Sequence, residues 1–148
     1  MRVVVDTNVV VSGLLWHGPS RRILDLARSA TLQLFTSAEL ISELRDVLER
    51  PKFASRLSRA RVSVDRLVLG YGSLARIVGV APVEPVVLDD PDDDAVIACA
   101  VASRARHIVS GDHHLLDVGR FRDCLIRTPA DFLAELGNEE FRTRSPTR

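Results

Sequence analysis

Val3, Val4 and Val5 stand in succession near the start of the chain. A strand with one covered face alternates apolar and polar side chains, whereas a strand apolar at every position must be covered on both faces. A parallel sheet with helices on each side supplies that cover. The apolar run breaks at Asp6, Thr7 and Asn8 and resumes at Val9. A carboxylate set between two buried segments requires partners, because burying an unpaired charge is costly. Asp6 either caps a helix beginning at Thr7 or is delivered by the strand to the edge of a sheet, where it can act as a ligand.

The rest of the chain alternates strand-like and helix-like segments, as an α/β domain does. The stretch "SRRILDLARSA" places Ile23, Leu24 and Ala27 on one face, with Ser20 as a candidate N-cap. "TLQLF" alternates as a short strand. "TSAELISELRDVLERP" has Thr36 and Glu39 in capping-box spacing and ends before Pro51. A further helix is expected over residues 63–76, weakened by Gly70 and Gly72, and "RIVGV" fits either a strand or the end of that helix. "VVLDDPDDDAVIACAVASRA" gives an apolar run, an acidic turn and a helix from about Asp92 to Arg104, apolar almost all round and so buried. "HIVSGDHHLL" reads as a buried strand leading into a turn and "LIRT" as a last strand. "TPADFLAEL" reads as a final helix, with Thr128 at the N-cap and Pro129 at the first helical position. The expectation is one α/β/α sandwich over residues 1–136 with a mainly parallel central sheet. The tail 137–148 has little to bury and is expected to be disordered.

Composition narrows the class. The chain has 148 residues, 46% hydrophobic and 27% charged, which suits one soluble domain with a single core. No apolar run approaches the roughly 20 residues of a membrane helix. No secretory leader precedes the first strand, and two cysteines, Cys99 and Cys124, are too few for a disulfide framework, so a cytoplasmic location is expected. Net charge is zero, which argues against a broadly basic coat but allows a local basic patch. Lys52 is the single lysine.

The acidic residues are not scattered. Asp6 ends the first strand. Asp89, Asp90, Asp92, Asp93 and Asp94 surround the start of the buried helix, and Asp112 follows the strand "HIVS". In a parallel sheet these positions fall at the carboxyl ends of strands or at adjacent helix starts, the edge where open α/β sheets build their sites. Glu43 lies beside the stripe Leu40, Leu44, Val47 and Leu48, so it is either a further ligand or a stem packed over the core with its head in water. Carboxylates gathered at one edge repel, and a hard divalent cation with oxygen ligands, Mg²⁺ or Mn²⁺, resolves the repulsion. Some of these aspartates also serve turns and helix starts.

Alternative acid-edge chemistries fit less well. A hydrolase with an aspartyl nucleophile wants a second aspartate two residues after the first, where this chain has Asn8. A phosphoacceptor domain wants a lysine at the end of a late strand, and Lys52 follows a helix in the first third. No Gly-Lys-Ser/Thr is present for a P-loop. A metal-dependent nuclease needs only the carboxylates.

"VVVDTNVVVSGLL", "TSAELISELRDVLERPKF", "DPDDDAVIACAVASRARHIVSGDHHLL" and "TPADFL", in this order and spacing, resemble the PIN-domain ribonucleases. The nearest branch is that of the toxin components of toxin–antitoxin pairs related to VapC, and the resemblance covers roughly Met1 to Leu136. It implies a PIN-like fold and a metal-binding, catalytic quartet of Asp6, Glu43, Asp93 and Asp112. Asp94 competes with Asp93. In the family pattern an apolar residue follows the third acid by three positions and an alanine by seven, and Val96 and Ala100 stand so from Asp93. Asn8, Ser37 and Ser110 match supporting polar positions. His113 and His114 have no role in the pattern and are expected at the surface.

The resemblance implies Mg²⁺ or Mn²⁺ as cofactor, single-stranded RNA as substrate, and an antitoxin and a homodimer as partners. The basic residues Arg50, Lys52, Arg56, Arg59, Arg61 and Arg66 could contact phosphates or form a solvated helical face. Trp16 and the 50–61 segment could contact partners or join the core. The other class left open is a PIN-like module that binds RNA or protein without turnover.

Overall fold

The structure, a computed structural model, describes the backbone of residues 1–81 and 91–144 and the side chains of 1–81 and 94–140. Its strands are β1 (Arg2–Val5), β2 (Gln33–Thr36), β3 (Arg76–Ile77), β4 (His107–Val109), β5 (Arg120–Phe121) and β6 (Cys124–Arg127). They form one sheet in the order β3-β2-β1-β4-β6-β5, parallel throughout except for the β5–β6 pair. The valine run lies in the middle of this sheet. Val3 pairs with Leu34 and His107, and Val4 pairs with Phe35 and Ile108.

Strand alternation divides the core into two layers. Val3, Val5, Leu34 and Val109 pack in one cluster, with side chains of α1 (Thr7–Leu15), α2 (Pro19–Arg28), α3 (Ala38–Leu48), α5 (Val64–Leu74) and α8 (Pro129–Arg144). Val4, Phe35, Ile108 and Ile126 point to the other side and pack with α6 (Pro91–Ser103) and with Leu115 of α7 (His113–Val118). Each fully buried valine or isoleucine contributes about 1.5–3 kcal/mol relative to exposure, so β1 is anchored from both faces. The α/β/α architecture expected from the valines is the one observed. Both sheet edges are two-residue strands, β3 and β5, which leave little unpaired backbone. Among the described residues no helix is long and apolar enough to cross a membrane.

Several elements differ locally from the sequence expectation. α2 starts after Gly18 with Pro19 in its first turn, so Ser20 is not the cap. Gly18 has φ of 137°, open to glycine and strained for other residues, and proline at the first helical position gives up only an amide that has no helical acceptor. Thr36 closes β2, and Ser37 caps α3 instead, its Oγ accepting from the Leu40 amide at 3.2 Å. "RIVGV" resolves into β3, with α5 already ended at Leu74. A short 3-10 turn at Pro51–Phe53 leads into α4 (Ala54–Ala60). The turn after β4 becomes the six-residue helix α7.

Asp131 donates its amide to Thr128 Oγ1 at 3.1 Å, as expected of an N-cap there. The same helix continues through Gly137 to Arg144, so the segment expected to be a disordered tail starts as helix. Residues 137–140 are exposed and carry no apolar periodicity, which is why burial patterning missed them. Gly137 costs only about 1 kcal/mol against alanine, and the good helix formers Leu136, Glu139 and Glu140 stand close to it. Asp89 and Asp90, with the apolar run before them, lie outside the described residues.

Candidate functional site

β1, β2 and β4 are parallel, so their carboxyl ends share one edge. Asp6 follows β1, Ser37 follows β2, and Ser110 follows β4. α6 feeds β4 through the short turn at residues 104–106, which places its last residue, Ser103, toward the amino edge of the sheet. Thirteen residues of helix span about 20 Å, longer than the strands, so the start of α6 reaches back to the carboxyl edge. α3 packs against both α1 and α6. Asp6 and Asp112 therefore follow strands that end at one edge, and α3, which carries Glu43, packs against the helices on either side.

Asp6 is 6% exposed, and Ser37 and Ser110 are buried. The Asp6 backbone amide donates to the Val109 carbonyl at 2.9 Å, which extends the β1–β4 ladder to the carboxylate itself. Asp6 is also the N-cap of α1: Oδ1 accepts from the Thr7 amide at 2.8 Å, and the Asp6 carbonyl accepts from Val9 and Val10. Oδ2 accepts from the Ser110 hydroxyl at 2.7 Å. The capping and edge readings of Asp6 are thus compatible, because one oxygen serves the helix while the other faces the β4 loop. Ser110 Oγ in turn accepts from the Asp112 amide at 3.0 Å, so this buried hydroxyl ties the two aspartate-bearing loops together.

Asp112 is half-buried and caps α7, with Oδ1 accepting from the His114 amide at 2.8 Å. Glu43 is half-buried, one residue from Leu44 of one core layer and three from Leu40 of the other. Asp94 is half-buried in the first turn of α6. Asn8 is exposed. The side chain of Asp93 lies outside the described residues, so Asp93 and Asp94 remain competitors for the third acid. The helix that follows them is buried from Ala95 to Ala100, as its apolar composition required.

An open depression of about 490 Å³ adjoins this edge, lined in part by Asn8, Ser12, Ser20, Asp112, His113 and His114. A separate cavity of about 320 Å³, lined by Arg104, Arg106, Phe121 and Arg122, lies at the amino ends of β4 and β6, away from the carboxylates. Among the described residues, Asp112, His113 and His114 offer metal-type ligand atoms within 4.8 Å of one another. The sequence reading expected both histidines at the surface; His113 is exposed and His114 half-buried. The oxygen donors Asp6, Glu43, Asp94 and Asp112 are the chemistry a hard divalent cation prefers.

The basic segment divides in two. Arg50, Lys52, Arg59, Arg61 and Arg66 are exposed, whereas Arg56 is engaged with the end of α1. Its Nε and one terminal nitrogen donate to the Leu15 carbonyl at 2.9 and 2.6 Å, and its guanidinium lies 5.7 Å from the Trp16 ring. Trp16 is 42% exposed and lies against Phe53, so it is a rim residue and not part of the core.

A family model described as PIN domain matches residues 2–114, more than half of the chain. Among solved structures, the crystal structure of VapBC2 from Rickettsia felis bound to a DNA fragment from their promoter contains a similar chain. The TM-score is 0.57 at 15% identity, with 86% of this chain and 98% of that chain covered, a likeness of fold. No curated protein matches the chain.

Proposed function

This chain belongs to the PIN-domain family, and from that premise we propose that it is a divalent-metal-dependent endoribonuclease that cuts single-stranded RNA as the toxin of a toxin–antitoxin pair. The observation that carries the proposal is Asp6: a buried carboxylate at the carboxyl end of the central strand, oriented by Thr7 and Ser110. One of its oxygens serves the helix cap, and the other accepts from Ser110 at the edge where the other acids are expected.

Asp6, Glu43, Asp112 and either Asp93 or Asp94 would hold Mg²⁺ or Mn²⁺, and their oxygen donors suit that choice. When bound, such an ion supplies an activated water and positive charge opposite the scissile phosphodiester. The chain's own part is to hold the carboxylates in place before substrate arrives. Ser110 does this for Asp6 and for the backbone at Asp112. Asn8 is exposed beside the same edge, which suits a contact with substrate. Arg50, Lys52, Arg59 and Arg61 supply exposed positive charge for phosphates on a protein of zero net charge.

A cognate antitoxin and a homodimer are proposed as partners. The described VapBC2 complex supports the first as a likeness of fold. The test is Asp6→Asn, which keeps an oxygen for the Thr7 amide and so keeps the helix cap. Mg²⁺- or Mn²⁺-dependent cleavage of single-stranded RNA should vanish while circular dichroism is unchanged. Cleavage that survives this substitution rules the metal centre out, and RNA binding by the unaltered chain without cleavage favours a non-catalytic binding module.

A further inference from the structure

His113 and His114 follow Asp112 at the start of α7, and each of the three residues places a ligand atom within 4.8 Å of the other two. The imidazole rings face each other at 4.1 Å between centroids, inclined by 36°. Among the described residues neither imidazole has a hydrogen-bond or ion-pair partner, and the His113 ring is exposed. Asp112 uses Oδ1 to accept from the His114 amide. Its backbone amide is held on Ser110 Oγ, which fixes the loop from which all three side chains project. They line the open depression of about 490 Å³, which leaves room for water to complete a coordination sphere.

We propose that Asp112, His113 and His114 form a mixed nitrogen and oxygen metal site that takes a borderline transition-metal cation, Co²⁺ or Zn²⁺, in preference to Mg²⁺. Mg²⁺ takes hard oxygen donors and retains its waters, whereas imidazole nitrogen suits the later divalent metals. Two imidazoles and one carboxylate make a three-ligand set with an open position, the arrangement that leaves a metal-bound water exposed to a substrate. The inference rests on the nuclease reading only through Asp112, which the carboxylate quartet shares. His113 and His114 have no part in that quartet.

The full chain, free of any polyhistidine tag, is titrated with Co²⁺ by visible absorption and with Zn²⁺ and Mg²⁺ by calorimetry. The parent is compared with His113→Ala/His114→Ala and with Asp6→Asn. Loss of direct ligands should cost at least what loss of supporting groups does, about 10–100-fold in Co²⁺ and Zn²⁺ affinity. Mg²⁺ affinity should be the same as in the parent, and the Co²⁺ absorption bands should weaken. If the double variant folds poorly, His113→Ala alone carries the test, because its side chain is exposed. Co²⁺ affinity equal to the parent's in the histidine variant overturns this site. If Asp6→Asn at the same time abolishes RNA cleavage, the carboxylate centre stands without it. Co²⁺ binding lost in the histidine variant, with cleavage surviving Asp6→Asn, supports this site and removes the carboxylate metal centre.

Discussion

The Ser110 hydroxyl donates to Asp6 Oδ2 at 2.7 Å, joining residues 104 positions apart in the chain, both buried. The bond exists because β4 lies directly beside β1 and both strands end at the same level. Removing the hydroxyl leaves a buried carboxylate oxygen short of a donor, at a cost of about 1–3 kcal/mol. Ser110→Ala should therefore lower the unfolding free energy by an amount in that range, seen as a lower urea midpoint at unchanged slope. It should also reduce cleavage by freeing Asp6 to reorient. An unchanged midpoint would mean that water replaces the hydroxyl without loss.

Glycine at 13 reflects a close approach of helices. A Cβ there would stand 2.8 Å from Leu24 Cδ1 and 2.9 Å from the Ser20 carbonyl oxygen, and the second contact is backbone. Gly13→Ala should destabilise by about 1–3 kcal/mol, the usual cost of overpacking. Gly70, exposed within α5, meets nothing within 4 Å, so Gly70→Ala should stabilise by about 0.5–1 kcal/mol. Thermal melts of the two variants should move in opposite directions.

Arg56 fastens the end of α1 through two hydrogen bonds to the Leu15 carbonyl. Arg56→Ala should cost about 1.5–3 kcal/mol, the range for hydrogen bonds from a charged donor. Trp16 is the single tryptophan and lies beside this guanidinium. Its fluorescence should change in the folded variant, and an emission spectrum identical to the parent's would place the guanidinium elsewhere in solution.

His107 starts β4 with its ring 5.2 Å from that of Phe132. Burial pushes its pKa below the ordinary value of 6.5; Arg127 and Arg106 act in the same direction, and Glu135 and Glu139 oppose. With the folded value depressed, the unfolded chain binds the proton more readily. Stability is then complete above pH 6.5 and falls as pH drops below it. Denaturation midpoints measured from pH 7.5 down to about 5 should show this decline, and His107→Gln should flatten it. A slope that persists in the variant assigns the effect to another group.

Much of this protein could be read from residues in order. Val3–Val5 required cover on both faces and so a parallel sheet between helices, and Thr128-Pro129 marked a helix start that the structure keeps. These signals are local: periodicity reports burial, and proline reports the first helical turn. The choice between Ser37 and Thr36 as a cap was not local, because it depends on where pairing with β1 and β3 ends β2. The extension of α8 past Gly137 was hidden for the opposite reason, since residues 137–140 are exposed and polar and leave no apolar pattern.

The sequence by itself determined that Asp6 ends a central strand, that acids gather near the start of α6 and after β4, and which family motif they follow. Only the tertiary structure decided that Asp6 both caps α1 and accepts from Ser110, a residue 104 positions away. The physical reason is that a strand's ends follow from its own side chains, whereas its neighbours follow from how two layers of helices close over the sheet.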